Sequence, residues 1–214
     1  MFSSRSVVED LQVTQLNDPE GITWTQAQLI SALNQALRML QLLRPDATAK
    51  HAIVNATEGA RQVIPDDGVR LIRVIRNIRA SGMTGQVIRL VQKEDMDSAS
   101  LAWMGATGIQ IKEYMFDGRI PKQFFVYPTV TADKQFEIEY SARADIVTAA
   151  TFDDALPVDV MYSQPIQELM MYKLLSGDST NGDSGASHLQ LATGLLGVQD
   201  EIDARLSPAR KTSN

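Results

Sequence analysis

The chain has no cysteine among its 214 residues. That excludes a disulfide framework and thiolate chemistry, and it fits a reducing cytoplasm or an assembly made there. Histidine is nearly absent too: His51 and His188 stand alone and far apart in sequence. Without thiols, two imidazoles so separated do not suggest a transition-metal site, and no cofactor is expected. No stretch reaches the ~18 apolar residues of a membrane span. The opening Met1-Phe2-Ser3-Ser4-Arg5-Ser6 lacks the apolar run of a signal peptide. Positive charge is in short supply, with 20 Lys and Arg against 26 Asp and Glu, a net charge of -6 and a pI near 4.9. Wrapping nucleic acid needs an excess of cations facing the phosphates, so an acidic chain is poorly suited to it. No internal repeat or long low-complexity segment stands out.

What remains is ordinary globular material, 44% hydrophobic and 21% charged, enough for one domain or one domain with a large insertion. Its periodicity falls into three parts. Residues 5–16 form a short helix with Val7, Val8 and Leu11 on one side, broken by Asn17-Asp18-Pro19-Glu20-Gly21. Thr23 with Gln26 three residues later reads as a capping box, followed by the helical stripe Leu29, Leu33, Leu37 and Leu40 and a stop at Arg44-Pro45. The middle holds β-branched and aromatic runs at 52–54, 69–78, 86–91, 109–116, 124–127 and 136–140, separated by turn residues. A short helix is expected at 97–104 between strands. Helical spacing returns after residue 150: Pro157 suits a first turn, and Pro165 calls for a kink or a late start. Residues 177–185 read as a polar loop. A last helix over 188–206 carries Leu191, Leu195, Val198 and Ile202 in one row, with Gly194 and Gly197 expected to admit a neighbouring helix.

These parts predict an α+β fold. A bundle of about four helices comes from the N- and C-terminal parts, with an inserted antiparallel β-sheet or sandwich region. The expected division is 1–46, 47–150, 151–206 and a polar basic tail at 207–214.

Several local patterns lie in order along this frame. Trp24 precedes a helix running on through Leu33-Asn34-Gln35-Ala36-Leu37, and Pro45 follows it. Next come Gly59-Ala60-Arg61-Gln62-Val63-Ile64-Pro65, then Val74-Ile75-Arg76-Asn77, then Asp95 with Trp103. Ile120-Pro121-Lys122-Gln123-Phe124-Phe125-Val126-Tyr127-Pro128 and Ile138-Glu139-Tyr140 complete the set. Over residues 24–196 the chain resembles the head–tail adaptor (connector) proteins of tailed bacteriophages, the tail tubular A and portal-docking gatekeeper group. It departs from them at Ala102 and at Ser141-Ala142-Arg143-Ala144, where prolines are usual. The resemblance implies a structural virion protein at the neck, assembled in the bacterial host cytoplasm as a homo-oligomeric, commonly dodecameric ring. It would bind the portal protein on one side and tail or nozzle components on the other, and packaged DNA would pass through without specific binding. No membrane is involved, and the resemblance implies no catalytic residue.

Two other readings compete with this one. Gly182-Asp183-Ser184-Gly185 matches the surroundings of a trypsin-like serine nucleophile, with His51 as the base. However, Ala186-Ser187 follows, and the motif falls between helices. The third reading is a β-sandwich carbohydrate-binding module with exposed aromatics. An EF-hand is rejected: Asp178, Thr180 and Gly182 are spaced for one, but Leu189 stands where Glu is required. For contacts, Arg70, Arg73, Arg76, Arg79 and Arg89 dominate a segment, residues 61–93, of net charge +5 in an acidic chain. They are candidates for subunit or partner contact, against the alternative of a solvated face paired with the protein's own carboxylates. In the tail, Ser207, Pro208, Ala209, Arg210 and Lys211 are candidates for docking on the portal.

Overall fold

The computed structural model describes residues 2–176 and 182–206. In chain order its helices and strands begin α1 (Ser4–Thr14), α2 (Gln26–Leu43), β1 (Ala49–Asn55), β2 (Arg61–Val63), β3 (Gly68–Ile78), β4 (Thr84–Val87) and β5 (Arg89–Leu90). They continue with α3 (Lys93–Ala99), β6 (Glu113–Phe116), β7 (Gln123–Tyr127), β8 (Gln135–Ala142), α4 (Ser163–Leu175) and α5 (Gly182–Leu206). The fold is α+β. It divides into a helical unit, Met1–Ala47 with Ala144–Asn214, and a β unit, Thr48–Arg143.

In the helical unit, α1, α2, α4 and α5 bury one core. Val7, Val8 and Leu11 meet Leu29, Leu33, Leu37 and Leu40, Ile166, Leu169 and Met170, and Ala192 and Leu196. Removing such a Leu or Ile from water contributes ~1.5–3 kcal/mol. Each of the first two helices starts with a capping box, Ser3 with Ser6 and Thr25 with Gln28. The expected pair Thr23/Gln26 is therefore displaced by two residues. The cause is Asp18, whose carboxylate accepts from the backbone N–H of Ile22 (2.8 Å), Thr23 (3.0 Å) and Trp24 (2.8 Å), so the chain wraps around it before the helix begins.

The C-terminal helices correct four expectations and meet one, the late start at Pro165. Pro157 precedes the helix, and α4 starts late, with Pro165 in its first turn where a missing N–H is harmless. Residues 182–185 belong to α5 rather than to a loop. The buried face of α5 is Ala192 and Leu196, whereas Leu191 and Val198 are 47% and 57% exposed. The close approach is at Gly185, where a Cβ would lie 3.3 Å from the Ser176 nitrogen; at Gly194 and Gly197 nothing lies within 4 Å.

The β unit is a sandwich of two four-stranded sheets ordered β1-β8-β3-β4 and β2-β7-β6-β5, antiparallel except for the parallel β5–β6 pair. Leu71, Val74, Phe136 and Ile138 of the first sheet pack against Tyr114, Phe124 and Val126 of the second, and the Phe124 and Phe136 rings meet edge to face at 6.1 Å. The expected single strand over 86–91 is two, because the chain leaves one sheet for the other at buried Ile88. The expected helix at 97–104 is α3 followed by a separate 3-10 turn, Trp103–Gly105. There buried Trp103 donates its indole N–H to Asp97 (2.7 Å) and packs on Phe125.

Candidate functional site

The arginine-rich strand β3 reads Arg70-Leu71-Ile72, Arg73-Val74-Ile75, Arg76-Asn77-Ile78, a three-residue period in an element whose side chains alternate with period two. The conflict is resolved by bulges. Arg70, Arg73 and Arg76 lie opposite Ser141, Glu139 and Glu137, while Leu71, Val74 and Asn77 lie opposite Tyr140, Ile138 and Phe136. Three β3 residues thus span two of β8, leaving Ile72 and Ile75 as the extra residues. Every arginine stays on the outer face, and Leu71, Val74 and Asn77 stay buried.

On that outer face the charges are interlocked. Arg73 donates from Nε to Glu139, Arg76 Nε lies 3.2 Å from Glu137, and the His51 ring lies between both carboxylates at 3.5 and 3.7 Å. Two of the five candidate arginines are therefore occupied within the sheet. The guanidinium of Arg70 lies over Gly118. Arg70, Arg79 and Arg89 are exposed and form no ion pair among the described residues. Ser207, Pro208, Ala209, Arg210 and Lys211 lie outside the described residues.

Beneath the arginines, Asn77 acts as a piece of backbone. Its amide donates to the Ile111 carbonyl (2.7 Å) and the Gln86 carbonyl (3.1 Å) and accepts from the Ile111 N–H (3.0 Å). Asn34 does the same in the helical unit, donating to the Val147 carbonyl (2.8 Å) and accepting from its N–H (2.9 Å). Sequence reading passed over both, because an isolated Asn carries no signal until its backbone partner is known.

The other chemical candidates are not assembled. Ser184 stands in the first turns of α5, and no histidine hydrogen-bonds to it among the described residues. His188 instead pairs through Nδ1 with buried Glu168 at 2.6 Å. Among the described residues no group of three or more His, Cys, Asp or Glu side chains is arranged to hold a metal ion, and no helix is long and apolar enough to cross a membrane. Every Phe, Tyr and Trp ring is buried or half-buried.

Comparison with known proteins bears on both units at once. None of the curated proteins matches the chain. The family described as SU10 adaptor protein matches residues 6–212, a span that takes in the helical bundle and the β insertion alike. With the helix–β–helix frame, the chain therefore belongs to the SU10 adaptor protein family, and its role is that of a structural phage adaptor.

Proposed function

We propose that the chain is the repeating subunit of a homo-oligomeric, dodecameric ring joining the portal protein to the tail or nozzle components, with packaged DNA passing through its channel. The observation that carries this is the family match over residues 6–212, which engages nearly the whole chain rather than one portable module. The net charge of -6 supports passage over binding, since a lumen that lets DNA slide should not grip phosphates. Arg70, Arg79 and Arg89, exposed and without ion pairs among the described residues, are the arginines for subunit or partner contact. The tail residues Ser207, Pro208, Ala209, Arg210 and Lys211 dock on the portal.

The test is an electron micrograph of the full chain mixed with the portal of its phage. A ring seated on the portal is expected; a portal that remains bare refutes the reading. Deleting residues 207–214 should weaken portal binding, and unchanged binding would remove the tail from the mechanism. A peptidase activity that Ser184→Ala abolishes while assembly persists would favour the hydrolase reading instead.

A further inference from the structure

The two units carry opposite charge. The helical unit has 7 Lys and Arg against 15 Asp and Glu, net -8, whereas the β unit has 13 against 11, net +2, with histidine neutral. The contrast is concentrated in two segments. Residues 144–162 hold Asp145, Asp153, Asp154 and Asp159 with no Lys or Arg, while residues 68–93 hold five Arg and one Lys with no Asp or Glu.

Internal partners neutralise part of each. Asp153 is engaged by Arg5, and Asp159 accepts the Met161 N–H at 2.9 Å. Asp145 and Asp154 have no ion pair among the described residues, and they line one cleft of about 320 Å³ with Ile146 and Pro157. Ile146 is 65% exposed. The cleft is held open by backbone: Asn34 clamps Val147, Arg5 N–H donates to the Phe152 carbonyl (2.9 Å), and Leu156 N–H donates to the Phe2 carbonyl (3.1 Å).

On the basic segment, Arg73, Arg76 and Lys93 are paired with Glu139, Glu137 and Asp97. Arg79 and Arg89 have no ion pair among the described residues. They flank β4, the outer strand of its sheet, where Met83 and Val87 are 59% and 68% exposed. One surface thus combines free anions with an exposed aliphatic side chain, and the other combines free cations with exposed aliphatic side chains. Either surface facing its own copy would bring like charges together; each facing the other pairs them.

Resting on the ring reading, we propose that the Asp145–Asp154 cleft of one copy receives the β4 edge of a second copy, with Arg79 and Arg89 opposite the two carboxylates and Met83 against Ile146. The contact is heterologous, the kind that propagates from copy to copy and closes into a ring. Because it is partly ionic and near the surface, it weakens as salt rises.

The absence of cysteine makes the test clean. Full chains carrying Met83→Cys and differently mass-tagged full chains carrying Ile146→Cys are mixed, assembled with the portal, and oxidised. Covalent dimers joining the two chain types are expected, with few joining like to like. In the Ile146→Cys chain, Asp145→Lys with Asp154→Lys should reduce the crosslinked yield by roughly tenfold, and Arg79→Glu with Arg89→Glu in the Met83→Cys chain should restore it. Rings whose subunits give no mixed crosslink, or only like-with-like crosslinks, overturn this inference and leave the ring reading standing. Portals without rings overturn both.

Discussion

Replacing Asn77 with Ala removes a side chain that completes the backbone pairing of Ile111. Ile111 is 1% exposed, so both its N–H and its carbonyl lose their partner where water cannot substitute. Each buried polar group left unpaired costs roughly 1–3 kcal/mol, hence about 2–6 kcal/mol for the pair. The third partner, the carbonyl of exposed Gln86, can turn to water. Against a total stability of ~5–15 kcal/mol this is a large share. The assay uses the two tryptophans, Trp24 in the helical unit and Trp103 in the β unit. With Trp24→Phe as background, urea unfolding followed by Trp103 emission reads the β unit alone. Asn77→Asp adds a control. It keeps an acceptor for the Ile111 N–H but points an anion at two carbonyls, so its deficit should shrink as pH falls and the carboxyl regains a proton. A loss below ~1 kcal/mol for Asn77→Ala would refute the claim that these bonds are buried and unreplaced.

Gly85→Ala should weaken the same region by ~1–3 kcal/mol, because its Cβ would lie 2.7 Å from the Asn77 carbonyl oxygen, and backbone yields poorly; unchanged urea midpoints would count against this packing. Thr25→Ala should destabilise the helical unit by ~1 kcal/mol through loss of the α2 cap, while Thr23→Ala should stay within ~0.5 kcal/mol; the reverse ranking by thermal melting would return the cap to Thr23. Asp18 is held below the usual carboxylate range, chiefly by the Trp24 N–H and then by those of Ile22 and Thr23. Its contribution is therefore present above about pH 4 and lost as pH falls through the lower folded value. Asp18→Asn should flatten that acid limb when Trp24 emission is followed in a Trp103→Phe chain, and an unaltered limb would exclude this role.

What could be read from the sequence divides along a physical line. The α2 stripe Leu29, Leu33, Leu37 and Leu40 and the β8 alternation Phe136, Ile138 and Tyr140 are buried as their periods require, because each element follows its own intrinsic repeat. Strand β3 was legible as a strand, but its faces were not. Which residue points inward depends on bulges that only pairing with β8 creates. The same holds for the arginines: their clustering is a local fact, whereas Arg73 finds Glu139 66 residues away. In α5 the row Leu191 and Leu195 lies one position out of phase with the Ala192–Leu196 face that packs, yet is as regular a stripe in the sequence. Gly185 signalled a loop because close helix contact and turn formation use the same residue.

The triplet strand has a consequence for how the chain finds its fold. Moving β3 by three residues against two of β8 would place Arg76 opposite Glu139 and Arg79 opposite Glu137, and would again set arginine against glutamate. Electrostatics therefore leaves neighbouring registers nearly degenerate. Asn77 breaks the tie, being the one polar member of the buried row Leu71, Val74 and Asn77, and only one alignment delivers it to Ile111. A single amide thus serves as the index mark of an otherwise repetitive ratchet, and a chain without it should lose uniqueness of alignment as well as stability.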